Sequence, residues 1–248
     1  EIYCLENRIS TEKFKDLKLP STQKLLQDYF DKKGGYPPRY APNEYSFYFQ
    51  ECYNSYIARK RFIESKVTRH NPSLGYLCLA DMMIKNKITR VWTTNFDSLT
   101  ETAISIIDPQ QELLICSSTN SDSIKNFNPT YPNICKLHGD FRYDNLQNTD
   151  DELKALENAL QDHWLHCLKN RSLIAIGYSG NDESIMSFFE KYIADPDFIS
   201  KGLYWTTLKG HSISNRVSAL IETAKAKGKI ADVVEINSFD SFLYETYK

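Results

Sequence analysis

Ile88-Thr89-Arg90-Val91-Trp92-Thr93-Thr94-Asn95-Phe96-Asp97 decides the fold. An apolar, strand-like run ends in polar residues, and a helix carrying Leu99, Ala103 and Ile106 at helical spacing follows. The same alternation repeats to the C-terminus. Strands are expected near 88–93, 112–116, 133–137, 172–177, 202–207 and 231–236, with helices near 97–107, 151–170, 182–194, 213–227 and 239–247. Alternating elements of these lengths predict an α/β fold: a Rossmann-like, mostly parallel sheet with helices on both faces.

Upstream the pattern is helical. A helix is expected from Ser21, which would cap it, with Leu25, Leu26, Tyr29 and Phe30 at helical spacing and Gly34-Gly35 ending it. Tyr36 to Asn43 holds three prolines in eight residues and reads as a loop. Glu44 to Lys66 is aromatic-rich and reads as one or two helices, whose rings serve core packing or an oligomer interface. Asn71-Pro72 is expected to cap a helix through Leu77, Leu79, Met82 and Met83. The expectation is one domain over 1–248, a helical layer to about 86 and the α/β part from 87. Glu1-Ile2-Tyr3-Cys4-Leu5 reads as the inside of an element, so an N-terminal piece carrying a strand and a Gly-rich turn is expected to be missing.

Composition narrows the function. With 248 residues, 41% hydrophobic and 25% charged, the chain is long enough to bury a core without staples. The net charge of −2, with no basic block longer than Arg59-Lys60-Arg61, argues against nucleic-acid binding. No apolar run approaches the ~20 residues that span a bilayer, and no leader pattern opens the chain, so a cytoplasmic protein is expected. Cys4, Cys52, Cys78, Cys116, Cys135 and Cys167 include no C-x-x-C pair and read as buried, reduced thiols rather than zinc ligands. His163 and His166, three residues apart without a third ligand nearby, read as a solvated helix face; His70 and His211 read as loop residues.

Three segments place polar groups at strand ends, the ligand edge of an open α/β sheet. In Thr93-Thr94-Asn95-Phe96-Asp97, either Asn95 or Asp97 can cap the following helix, leaving the other to hold a ribose or a water. In Lys136-Leu137-His138-Gly139-Asp140, His138 ends a strand beside a glycine; its ordinary pKa near 6.5 suits a general base, although a backbone-bonded structural histidine reads as readily. In Gly177-Tyr178-Ser179-Gly180-Asn181-Asp182, two glycines allow a tight turn, Ser179 supplies a hydroxyl and a helix begins at Asp182, which suits a phosphate or ribose. Any strand-to-helix turn favours such residues, and the spacing is not that of a hydrolase nucleophile elbow.

Taken together and in order, the three motifs resemble the SIR2-like, sirtuin-related domains of bacterial anti-phage defence proteins. The likeness extends to Pro72-Ser73, Glu101 and Gly202-Leu203-Tyr204-Trp205. It implies a domain that takes NAD as substrate and cleaves its nicotinamide–ribose bond without a metal. Asn95 would position the attacking water and the ribose, with His138 as general base. Asp97 would shape the nicotinamide pocket and Ser179 and Asp182 would hold the adenosine side, with Thr93, Thr94 and Gly177 also contacting the dinucleotide. The family's Gly-Ala-Gly loop has no match in this sequence. A sirtuin deacylase's four-cysteine zinc module is also absent, which argues against an acyl-lysine substrate. The resemblance further implies an NAD-depleting effector that works as a homo-oligomer with a sensor domain or partner outside this chain. The alternatives are a non-catalytic module binding NAD or ADP-ribose as a signal, and an NAD-dependent deacylase.

Overall fold

The computed structural model describes residues 2–14, 16–17, 19–38, 44–53, 55–67, 70–117, 131–137 and 161–248. The chain divides into two compact units, Glu1–Lys66 and Val67–Lys248.

The first unit is helical: α1 (Ile2–Glu6), a 3-10 turn at Thr11–Phe14, α2 (Pro20–Lys33), α3 (Glu44–Cys52) and α4 (Tyr56–Val67). Helix α2 begins one residue before the expected cap. Pro20 takes the first helical position, where its missing N–H costs nothing, and Leu19 rather than Ser21 precedes it, without a side-chain cap. Gly34 ends the helix at φ 71°, its amide bonded to the Phe30 carbonyl at 3.1 Å. Aromatic rings pack throughout the unit: Tyr3 with Tyr29 at 4.8 Å and Phe30 with Tyr48 at 5.1 Å edge to face, and Tyr53 with Phe62 tilted at 4.5 Å between centroids.

The second unit is the α/β domain. In order it comprises α5 (Leu74–Ile84), β1 (Arg90–Thr93), α6 (Leu99–Ile107), β2 (Leu114–Ser117), β3 (Asn133–Lys136), a helix α7 over residues 161–168, and β4 (Ser172–Ala175). There follow α8 (Glu183–Tyr192), β5 (Gly202–Leu208), α9 (Asn215–Ala226), β6 (Ala231–Ile236) and α10 (Phe239–Tyr247). Every strand pair in the ladders is parallel. The strands form two three-stranded sheets, ordered β1-β3-β2 and β4-β5-β6, with Val91 opposite Ile134, Ile115 opposite Ile134, and Tyr204 between Ile174 and Asp232.

Helices cover both faces, as the apolar runs of the strands require. Val91 and Ile134 join Met83, Ala103, Ile104 and Leu243 in a core built with α5, α6 and α10. Trp92, one residue on and therefore on the opposite face, packs against the other core, where Trp164, Phe188, Leu203, Trp205, Val217 and Ile221 meet. The fold is therefore α/β and Rossmann-like.

Two local expectations are corrected. The cap of α5 is Ser73, not Asn71-Pro72, and its hydroxyl does not reach back to the helix; it donates to Asp240 Oδ1 at 2.5 Å, which also accepts the Gly75 amide at 2.7 Å. A carboxylate from α10 thus caps α5 across 165 residues, which sequence spacing does not reveal. His163 is buried rather than solvated, at 7% exposure, with Cys167 Sγ at 3.6 Å from Nε2 and 3.7 Å from Nδ1; His166 is exposed.

Candidate functional site

The first motif leaves β1 at Thr93. Its backbone turns at once, because the Thr93 hydroxyl accepts the Asn95 amide at 3.0 Å, and Asp97 Oδ1 accepts the Leu99 amide at 3.0 Å to open α6. Asp97 thus serves the helix terminus while Asn95 is left exposed.

Beneath this loop lies a charge that the sequence reading did not single out. Lys136, the last residue of β3, is fully buried. Its ammonium sits 2.8 Å from Glu101 Oε1 and donates to the Asp97 carbonyl at 2.7 Å. A buried ammonium is stable only when its donors are satisfied, and here they are satisfied by the loop and first turn that present Asn95. The signal was available: one lysine in Asn133-Ile134-Cys135-Lys136-Leu137, a strand whose other residues suit a covered parallel sheet.

The second motif enters beside the first. Beyond the ladder the Leu137 amide bonds the Thr93 carbonyl at 2.8 Å, so the chain that leads into His138 runs alongside the residue that leads into Asn95. His138 itself, with Gly139 and Asp140, lies outside the described residues.

The third motif follows β4. Gly177 and Gly180 take φ of 65° and 76°, conformations that favour glycine. Gly180 is also needed for space, since a Cβ there would stand 2.5 Å from Val217 Cγ2, whereas one at Gly177 would meet nothing within 4 Å. The Tyr178 carbonyl accepts the buried Trp205 indole N–H at 2.9 Å, which ties the turn to β5. Ser179 is exposed, and Asp182 is the N-cap of α8 without a side-chain cap bond. Glu183 in the first turn of α8 is held by Arg216, whose Nη1 lies 2.6 Å from Oε2.

A cavity of about 820 Å³ runs between the motifs. Its lining follows β1 into Thr93, Thr94, Asn95 and Asp97, and β4 into Gly177 and Tyr178; Ser179 and Asp182 do not line it. Burial, and then the Asp97 carboxylate, push the phenol of Tyr76 in the same wall up to about 12. Burial and then Asp182 likewise hold the Tyr178 phenol far above its ordinary value, so both tyrosines remain neutral hydrogen-bonding groups. Among the described residues no three His, Cys, Asp or Glu side chains gather as a metal site, and no helix is long and apolar enough to cross a membrane.

Polar loops gathered beyond the carboxyl ends of parallel strands, covered by helices on both faces, define a Rossmann-like α/β domain with a nucleotide-type ligand edge. Residues 89–226 match the SIR2-like domain, and the chain belongs to that family, whose sirtuin-related members use NAD. No curated protein matches the chain.

Proposed function

We propose that this domain hydrolyses NAD to nicotinamide and ADP-ribose. The observation that carries the reading is the presentation of Asn95: an exposed amide at the carboxyl end of β1, on a loop anchored from below by buried Lys136, facing the cavity that the third motif also lines.

The chemistry asks little of the protein beyond orientation. In NAD the nicotinamide is a cationic leaving group, and its departure with the C–N bonding pair leaves an oxocarbenium-like ribose that water attacks at C1′. The new C–O bond forms as the water's proton passes to a base, and nicotinamide departs neutral. In this reading Asn95 holds the water and the ribose, and His138 takes the proton. In the same reading Asp97 shapes the nicotinamide pocket, Ser179 and Asp182 hold the adenosine side, and Thr93, Thr94 and Gly177 also contact the dinucleotide. The exposed Ser179 hydroxyl and the N-terminus of α8 offer donors for ribose or phosphate oxygens. The physiological part of the proposal is NAD depletion in anti-phage defence, by a homo-oligomer triggered through a sensor outside this chain.

The test is release of nicotinamide and ADP-ribose from NAD by the complete polypeptide with its trigger, beside Asn95→Ala and His138→Ala. Loss in both variants, with folding retained, supports the hydrolase. Nucleotide binding without turnover under every activating condition overturns it in favour of a signal-binding module, and O-acyl-ADP-ribose formed from an acyl-lysine peptide overturns it in favour of a deacylase.

A further inference from the structure

Tyr76 comes to the candidate site from an element that none of the three motifs contains. It lies in the first turn of α5, and it borders the cavity together with Asn95 and Asp97. That turn is held from α10. Asp240 accepts the Gly75 amide at 2.7 Å and also the Ser73 hydroxyl. Gly75 leaves no room for a side chain, since a Cβ there would stand 2.6 Å from Asp240 Oδ1 and 2.8 Å from Phe239 Cδ1. The Tyr76 ring itself packs on Phe239, at 4.8 Å between centroids. Backbone and ring are thus fixed by groups that have no part in the three motifs.

The phenol at the end of this ring has the Asn95 side chain as a hydrogen-bonding neighbour, and the carboxylates of Asp97, Asp240 and Glu101 near enough to act on it electrostatically. Each carboxylate is already engaged: Asp97 accepts the Leu99 amide, Asp240 caps α5 and Glu101 pairs with Lys136. Asn95 differs from them. Its backbone amide is bonded to the Thr93 hydroxyl, but its side chain is exposed. The terminal torsion of an asparagine is broad, and its two polar atoms have opposite hydrogen-bonding roles, so an amide that orients a ligand needs a partner to set which atom faces it. A neutral phenol, at once donor and acceptor, is such a partner.

We infer that Tyr76 is a positioning residue of the candidate site, its phenol fixing the Asn95 side chain at the end of β1 so that one polar atom of the amide faces the cavity. The inference rests on the hydrolase reading for its chemistry and deepens it: Tyr76 acts on the water and the ribose through Asn95 rather than by contact.

The full polypeptide with its trigger tests it. Tyr76→Phe keeps the ring against Phe239 and deletes only the oxygen; nicotinamide release at saturating NAD is expected to fall at least about tenfold, as misplacement of an orienting group does. The same change made in Asn95→Ala is expected to lower the remaining rate by less than about twofold, because residues that act as a unit are not additive. A second readout needs no turnover. 3-Fluorotyrosine placed at position 76 alone gives one fluorine resonance, which is expected to move on Asn95→Ala. An unmoved resonance overturns the proposal, as does full activity in Tyr76→Phe or an equal fold loss with and without Asn95. If the parent releases no nicotinamide under any activating condition, the hydrolase reading fails, and the resonance alone decides whether Tyr76 holds Asn95.

Discussion

The ammonium of Lys136 at the end of β3 lies 2.8 Å from the Glu101 carboxylate in the first turn of α6, and both residues are buried. The same ammonium holds the Asp97 carbonyl, so one side chain links the strand of the second motif to the loop of the first. Removing one member of a buried ion pair leaves the other's desolvation poorly compensated. Lys136→Met is expected to cost about 3–5 kcal/mol of stability, much of it recovered in Lys136→Met with Glu101→Leu, as buried pairs replaced by apolar residues recover. Urea midpoints of the single and double variants measure this. A single-variant cost near zero would show that the pair does not hold the loop.

The loop separates an exposed residue, Asn95, from one used by the backbone, Asp97. Asn95→Ala removes an exposed amide and is expected to change stability by no more than about 0.5 kcal/mol, while nicotinamide release falls at least about a hundredfold. Asp97→Ala removes the acceptor of the Leu99 amide and is expected to cost about 1 kcal/mol of stability. Thermal unfolding beside a nicotinamide assay distinguishes the two; an Asn95→Ala protein with full activity would place the chemistry elsewhere.

What could be read before the structure was whatever local pattern carries. The strands near 88–93, 202–207 and 231–236 and the helix near 239–247 are found at Arg90–Thr93, Gly202–Leu208, Ala231–Ile236 and Phe239–Tyr247, because apolar periodicity and bounding turns are local. Strand 172–177 ends early, at Ala175, where Gly177 turns the chain at positive φ. Long-range relationships were not legible: Asp240 capping α5, Lys136 reaching Glu101, and His163 turned inward beside Cys167 each depend on tertiary packing. A helix of mixed polarity looks solvated until its neighbours are known.

The two glycines of the third motif are expected to differ. At both, alanine incurs the left-handed penalty of about 1–2 kcal/mol. Only at Gly180 does the new methyl also meet Val217 Cγ2, at 2.5 Å, which adds about 1–3 kcal/mol of overpacking. Gly180→Ala should therefore be the more destabilising in urea unfolding. Equal costs would mean that Val217 yields freely.

His163 sets an acid limit. Burial, then Arg90 and His166, push its imidazole down to about 4 from an ordinary 6.5. The unfolded chain therefore takes up this proton at a higher pH than the folded one. No penalty exists above about 6.5; it grows as pH falls and is complete below about 4, where it reaches up to about 3 kcal/mol. His163→Gln removes the titrating group, so its stability should fall less than that of the parent between pH 7 and pH 4. Urea midpoints across that range measure the difference, and parallel slopes in the two proteins would show that the buried imidazole is not the group responsible.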